Sequence, residues 1–225
     1  MKDNLETWQR IQGQASAAGA RLIAVSKTQP DVHILELYEA GQRDFGENKV
    51  QELTDKFQRL PKDIRWHQIG HLQTNKVKYI VPFVHLIHAV DSFRLLQEID
   101  KQARNNQRVL PCLLQFKIAR EDSKYGFSLD DAISMLGSDA FQQLQHIALH
   151  GVMGMATFTD DEALVRAEFD NLRQIFLHLK RDFFSDSDTF REISMGMSDD
   201  YPIALEAGST MIRIGSLLFG KRNYD

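Results

Sequence analysis

The chain has little of what stabilises small disulfide-rich or zinc-bound proteins. It contains one cysteine, Cys112, in 225 residues, which excludes an internal disulfide framework and a Cys-rich zinc site. No apolar run approaches the roughly 20 residues that cross a bilayer. The first ten residues are mixed and polar and lack the apolar core of a signal peptide. We therefore expect a cytoplasmic protein with no membrane partner.

Excess positive charge is also missing. The chain has 27 Lys and Arg against 31 Asp and Glu, a formal net charge of −4. Binding to nucleic acid depends on clustered Lys and Arg that neutralise phosphates, so we expect no nucleic-acid partner. Five prolines and thirteen glycines are thinly spread and mark no linker, while 43% hydrophobic residues can form a sizeable core. Residues 1–225 are expected to form a single domain.

Short apolar runs alternate with longer amphipathic stretches along the whole chain. Several of these runs are nearly continuous in apolar residues, as strands buried on both faces must be. The predicted strands are 21–27, 44–48, 65–70, 86–91, 109–117, 149–156, 191–197 and 211–215. The predicted helices are 4–18, 32–40, 49–60, 75–81, 92–105, 128–144, 161–184 and 199–207, and the tail after the last strand could form one more.

This alternation predicts the fold. Strands that alternate with helices imply parallel pairing with right-handed crossovers. Eight such units predict an α/β protein, a single (β/α)8 TIM barrel with an extra N-terminal helix. A doubly wound open sheet remains the alternative, because periodicity does not give strand order. The G-x-G-x-x-G fingerprint of dinucleotide-binding sheets is absent after the first strand.

Lys27 is the clearest functional candidate, because it ends the first predicted strand, at the face where parallel barrels place their reactive residues. Partial burial there would lower its pKa and free an amine to attack a carbonyl, as in a Schiff-base lysine. The alternative is a lysine that leaves the strand and reaches water, which is common at the ends of elements.

The loops after strands seven and eight favour an anion site. Residues 194–198 and 213–216 are rich in small residues, and barrels often bind phosphate between these two loops. Gly196 and Gly215 could instead be ordinary turn glycines. A phosphate here requires the side chains of Asp199 and Asp200 to point away from it, and the sequence leaves their direction open.

Other polar residues allow two interpretations each. Arg213 lies between Ile212 and Ile214 and faces the opposite way, so it could donate to a heterocyclic nitrogen or form a structural ion pair. Asn48 could bind a ligand oxygen or cap the next helix, and capping is favoured from position alone. His67 and His71 do not share a helix face with a carboxylate, so we predict no metal site.

Several short motifs, in order, resemble the pyridoxal phosphate homeostasis protein family from about residue 21 to residue 222. They are Ala24-Val-Ser-Lys27, Phe45-Gly-Glu-Asn48, Val50-Gln-Glu52, Trp66-His67, Ile69-Gly70, Leu72-Gln73, Asn75-Lys76, Ser123-Lys124, Gly126, Gly151-Val-Met153, Ser194-Met-Gly-Met-Ser198, Arg213-Ile-Gly215 and Phe219-Gly220. Each motif alone is short, and their order makes the resemblance specific.

The resemblance implies a barrel similar to the amino-terminal domain of alanine racemase, with pyridoxal 5′-phosphate (PLP) held as a Schiff base on Lys27. It implies that Arg213 faces the pyridine nitrogen and that Asn48 lies near the ring. It assigns the phosphate to Met197, Ser198, Gly215 and Ser216, with Ser194 as a further candidate. Lys124 matches a family lysine that could be a second PLP site.

Two positions depart from the family pattern. Lys49 stands where relatives often carry Tyr, and Lys117 stands where they usually carry Asn. Both are predicted near the reactive face, so they bear on access to the site and on secondary sites more than on the Schiff base.

The expected function is PLP homeostasis by storage, buffering or delivery, with PLP-dependent enzymes as recipients and the protein acting as a monomer. An arginine beside the pyridine nitrogen leaves it largely unprotonated, which weakens the ring as an electron sink and argues against an efficient enzyme. The alternatives are a small PLP-dependent amino-acid racemase or decarboxylase, and a cofactor-free barrel that uses Lys27 as an aldolase-type amine.

Overall fold

The computed structural model describes residues 2–120 and 125–220. Eight parallel strands pair in chain order and close into a barrel, which confirms the TIM barrel and excludes the open sheet. The strands are β1 Arg21–Val25, β2 Asp44–Glu47, β3 Arg65–Gln68, β4 Leu86–Val90, β5 Leu110–Gln115, β6 Ile147–Met153, β7 Glu192–Ser194 and β8 Met211–Ile214. Every predicted strand is present, and most are one to three residues shorter at one or both ends than the sequence predicts.

Helices connect the strands and cover the outside of the barrel. They are α1 Lys2–Ala17, α2 Asp31–Glu39, α3 Val50–Arg59, α4 Val77–Ile80, α5 Phe93–Asn105, α6 Leu129–Leu136, α7 Asp139–Gln142, α8 Glu162–Phe183, α9 Tyr201–Glu206 and α10 Ser216–Phe219, with a 3-10 turn at Thr74–Lys76 before α4. The extra N-terminal helix is therefore confirmed as α1, and the tail forms α10.

Side-chain caps define several helix starts. The Ser92 hydroxyl accepts a hydrogen bond from the backbone N–H of Leu95, so Ser92 is the N-cap of α5. The single helix predicted over 128–144 is wrong, because Gly137 ends α6 and the hydroxyl of Ser138 caps α7. A glycine can end one helix and a serine directly after it can begin the next, and the periodicity of apolar residues does not show this break.

The apolar core has two layers. One lies between the strands and the helices and includes the fully buried Cys112, where burial raises the pKa of the thiol. The smaller layer lies in the barrel interior and consists of Ile23, Leu86, Leu113, Met153 and Met211. The interior therefore is a packed core, and a ligand has room only at its ends.

No helix within the described ranges has the length and apolar character needed to cross a bilayer.

Candidate functional site

A cavity of about 390 Å³ opens at the carboxyl ends of the strands, within the usual size range of small-molecule sites. All seven residues that the sequence singles out for binding lie in its wall: Lys27, Asn48, Met197, Ser198, Arg213, Gly215 and Ser216. These residues come from five places in the chain, after β1, β2 and β7, within β8, and after β8. Closure of the barrel is what brings them together.

The backbone on both sides of the cavity lysine is held by a buried ionic network behind it. The Ser26 carbonyl accepts from Lys56 Nζ at 2.7 Å, and the Ser26 hydroxyl donates to Glu47 Oε1 at 2.6 Å. On the other side, the Thr28 N–H donates to Glu52 Oε1 at 2.6 Å. Thr28 has a φ of 64°, a conformation that a non-glycine residue adopts only when its surroundings hold it there.

Glu47 and Lys56 form the centre of this network. Their side chains are almost fully buried, with Nζ 2.7 Å from Oε1. Burial raises the pKa of Glu47 to about 7, against the opposing effect of Lys56. Sequence reasoning missed this pair, although a Lys on an otherwise packed face of α3 and a Glu within a buried strand were signals of it.

The loops after β7 and β8 are joined directly to each other. The Gly215 N–H donates to the Ser198 hydroxyl at 3.3 Å. Within the described chain, the backbone N–H groups of Ser198 and Ser216 have no acceptor. Two unpaired N–H groups and a hydroxyl on one wall of the cavity form a suitable site for an anion.

The carboxylates of Asp199 and Asp200, beside this wall, point to different surroundings. Asp200 turns back on its own loop, where Oδ1 accepts from the Met197 N–H at 2.5 Å, and burial raises the pKa of its carboxyl. Asp199 is exposed and forms part of the cavity wall. The Met197 N–H is thus already paired within the chain, and Asp199 adds a negative charge close to the candidate anion site.

Arg213 brings a buried positive charge to the bottom of the cavity. Its Nη1 donates to Ser194 Oγ at 2.6 Å and its Nη2 donates to the Gly154 carbonyl at 3.0 Å. Burial lowers the pKa of Arg213 to about 10, so the guanidinium stays charged at neutral pH. No carboxylate of the described residues forms a salt bridge with it, so the predicted alternative of a structural ion pair is not supported there.

Asn48 lies on the cavity wall, and the capping interpretation is wrong. The N-cap of α3 is Lys49, and no side chain caps that helix. The backbone carbonyl of Asn48 accepts from Gln68 Nε2 at 2.9 Å, which holds this loop against the end of β3. Helix α3 begins at Val50, one residue later than predicted, so the cap position passes from Asn48 to Lys49.

The cavity wall also contains residues that the sequence analysis did not assign to the site. His71 Nδ1 lies 2.8 Å from Asp91 Oδ2, and its ring stacks on Tyr125 with centroids 4.1 Å apart. Gln29, Gln115 and Met155 also line the cavity. Position was the available signal, since Gln115 and Met155 lie at strand ends and His71 follows Gly70.

The two departures from the family pattern do not contribute to the cavity wall. Lys49 and Lys117 are exposed, and neither forms part of its wall. Lys124, the predicted second site, lies outside the described residues.

Three potential metal ligands meet at the opposite, amino-terminal end of the barrel. Atoms of Asp44, His67 and His85 lie within 4.8 Å of one another. Both oxygens of Asp44 already accept from Arg65, at 2.8 and 2.6 Å, and both ring nitrogens of His67 are within hydrogen-bond distance of other side chains. A positive guanidinium on the carboxylate opposes a cation, so we do not assign a metal site.

The residues of the cavity fit PLP. It offers an amine for an aldehyde, a buried cation with N–H donors for a ring acceptor, and backbone N–H groups for a phosphate. The cavity is large enough for a molecule of that size.

Comparison with known proteins gives consistent results. The profile of the alanine racemase N-terminal domain matches residues 2–223. A pyridoxal phosphate homeostasis protein of Aquifex aeolicus is 36% identical over 222 residues, covering 96% of this chain and 95% of the relative.

Two solved structures of PipY from Synechococcus elongatus are similar over almost their full length. The form without PLP has a TM-score of 0.88 and 36% identity, covering 96% of this chain and 99% of PipY. The form with PLP bound has a TM-score of 0.86 and 35% identity, covering 96% and 100%.

Proposed function

The chain belongs to the family of pyridoxal phosphate homeostasis proteins, and on that basis we propose that it binds PLP in the cavity at the carboxyl ends of its strands. The observation that carries the proposal is the convergence of an amine, a buried guanidinium and unpaired backbone N–H groups on one cavity. The PLP-bound structure of a relative with the same fold supports it.

In this proposal Lys27 holds PLP covalently. Its amine would hold the cofactor, since condensation with the aldehyde would release water and give a Schiff base. Arg213 faces the pyridine nitrogen and Asn48 lies near the ring. Ser198 and Ser216 hold the phosphate through their unpaired N–H groups and their hydroxyls, Gly215 lets the backbone approach it closely, and Met197 contributes the adjacent wall.

The role we propose is storage, buffering or delivery of the cofactor, without efficient catalysis. A guanidinium with a pKa of about 10 donates a hydrogen bond to the ring nitrogen but does not transfer its proton. The ring then remains a weak electron sink, and an amino acid bound to it is not readily deprotonated. The names of the relatives, which are homeostasis proteins, agree with this role.

The same proposal extends to the whole protein. Residues 1–225 form one PLP-binding barrel domain, which acts as a monomer in the cytoplasm and passes PLP to PLP-dependent enzymes. It makes no use of nucleic acid or membranes.

Reduction with borohydride tests the covalent site. We expect PLP-loaded protein treated with borohydride to gain the mass of one reduced PLP, and peptide mapping to find it on Lys27. Lys27→Ala should lose this adduct. Lys49→Ala, which removes an exposed lysine outside the cavity, should keep it. An unchanged adduct in Lys27→Ala would place PLP on another lysine, with Lys124 the first to map.

Turnover separates the carrier from the alternative of a small racemase or decarboxylase. We expect added amino acids to exchange their Cα proton with solvent deuterium, and to release CO2, no faster than with free PLP. Rapid proton exchange would support a racemase and rapid CO2 release a decarboxylase, and either result would overturn the carrier role.

A further inference from the structure

We propose that a chain of four buried polar side chains inside the barrel positions Arg213 toward the cavity. The four, here called the relay, are Ser194, His88, His67 and Asp44. The inference deepens the proposed function, on which it rests for the identity of the ligand, while the relay itself can be tested without any ligand.

The relay is continuous from one end of the barrel to the other. Arg213 Nη1 lies 2.6 Å from Ser194 Oγ, and this oxygen lies 2.8 Å from His88 Nδ1. His88 Nε2 lies 2.9 Å from His67 Nδ1, and His67 Nε2 lies 2.9 Å from Asp44 Oδ1. Every step has normal hydrogen-bond length, and the side chains come from five different strands.

The side chains of the relay are buried, so they depend on one another for hydrogen bonds. His67, His88 and Ser194 are 0% exposed, Arg213 is 4% exposed and Asp44 is 6% exposed. A buried polar group without a partner costs about 1–3 kcal/mol, so each member depends on its neighbours for its orientation.

The two charged ends determine the direction of every hydrogen bond. Arg65 and His67 hold the pKa of Asp44 well below its usual range, against its own burial, so the carboxylate accepts and His67 Nε2–H donates. With its proton on Nε2, a neutral His67 accepts at Nδ1, and His88 therefore donates from Nε2–H. His88 Nδ1 then accepts from the Ser194 hydroxyl, whose oxygen accepts from Arg213.

The electrostatics agree with neutral rings. Burial lowers the pKa of both His67 and His88, so each carries one proton at neutral pH. A guanidinium can only donate and an ionised carboxylate can only accept. Both ends therefore require donation in the same direction, from Arg213 toward Asp44. Only one set of proton positions gives every donor and acceptor of the relay a partner.

The relay fixes the orientation of Arg213 at the cavity. The relay and the Gly154 carbonyl hold Nη1 and Nη2 of Arg213, which leaves the remaining N–H groups of a fixed guanidinium plane for a ligand. Ser194 and the residues behind it are therefore positioning residues. Asp44 anchors the far end through its paired contacts with Arg65.

Histidine tautomers in the PLP-free protein test the relay directly. We expect long-range ¹H–¹⁵N spectra at pH 7 to show both His67 and His88 with the proton on Nε2, assigned with a His→Gln variant of each. A proton on Nδ1 of either ring, or a doubly protonated ring, would overturn the relay. This result does not depend on PLP, so it is separate from success or failure of the proposed function.

A pair of serine variants tests the effect on the site. We expect Ser194→Ala to weaken PLP binding about tenfold and to shift the absorption band of bound PLP, because Arg213 loses its fixed partner. Ser194→Thr keeps the hydroxyl and should restore both affinity and spectrum to within about twofold. A merely structural role would lower stability in Ser194→Ala and leave the spectrum unchanged, which would overturn the positioning role.

The far end provides a second variant in case Ser194→Ala does not fold. Asp44→Asn keeps the shape of the side chain but removes the charge that fixes the direction of the relay. We expect its His67 and His88 spectra to show mixed tautomers and its bound PLP to show a shifted absorption band. Unchanged tautomers and an unchanged band would contradict the proposal.

Discussion

At the scale of single residues, Asp199 places a negative charge beside the candidate anion site. It stands on the wall of the cavity beside unpaired N–H groups that suit a phosphate, whereas Asp200 is occupied by the Met197 N–H. The sequence identified both carboxylates as a potential conflict with an anion and left their direction open. The conflict is confined to Asp199, because Asp200 is tied to its own loop.

Removing this charge should strengthen PLP binding. We expect Asp199→Asn to lower the Kd for PLP by up to about fivefold, since exposed charges several ångströms apart in water interact by about 1 kcal/mol or less. Titration at low and high salt measures the effect, which should shrink as salt rises. Asp188→Asn, an exposed carboxylate in a loop outside the cavity, is the matched control. Weaker binding in Asp199→Asn would contradict the anion site.

Single residues differed in how well the sequence predicted them. Lys27 and Arg213 could be predicted from the sequence. Lys27 follows a strand end, which places it at the reactive face, and the alternation of side chains along β8 points Arg213 toward the interior. The pairing of Glu47 with Lys56 was not, because it depends on how α3 packs on β2. In the relay, His88 contacts Ser194, which lies 106 positions later in the chain, and no local sequence pattern predicts such a contact.

At the scale of elements, β6 contains an irregularity in its pairing with β5. Cys112 pairs with Leu149 and the next residue of β5 pairs with Gly151, so β6 carries one extra residue at this point. Gly151 has a φ of 149°, and a Cβ there would lie 1.8 Å from the carbonyl oxygen of Glu192. The neighbouring strand β7 thus packs directly on the glycine backbone.

Gly151→Ala should therefore destabilise the barrel strongly. We expect a loss above about 3 kcal/mol in the free energy of unfolding, because the clash is with backbone that cannot move without breaking strand pairing. Gly19→Ala is the control, with a φ of 70° but no atom within 4 Å of the added Cβ, and should lose only about 1 kcal/mol. Urea unfolding monitored by circular dichroism compares the two. Similar losses in both variants would contradict the role of close packing.

At the scale of the whole molecule, a closed barrel makes every strand depend on two neighbours. The pairing of β1 with β8 closes the ring, so loss of either strand exposes the edges of the rest. The last two loops and the first strand also share the cavity, which links ligand binding to closure.

We therefore expect one unfolding transition that PLP shifts upward. Calorimetry and circular dichroism should give the same midpoint. PLP at 100 times its Kd should add about 2.7 kcal/mol, which corresponds to roughly 5–10 °C for a chain of this size. Lys27→Ala should show a smaller shift at the same PLP concentration. Two separate transitions would contradict a single domain, and no shift with PLP would contradict the binding site.

The sequence by itself determined the α/β class and the number and approximate place of the strands, while their exact ends differ by one to three residues. Short apolar runs, helix caps and turn residues act within a few positions, so they can be read locally. Only the tertiary structure decided that the sheet closes, that Asn48 faces the cavity without capping a helix, and that two histidines, a serine and a carboxylate form the relay behind Arg213. These outcomes depend on strand order and burial, which bring distant residues together and which no local pattern encodes.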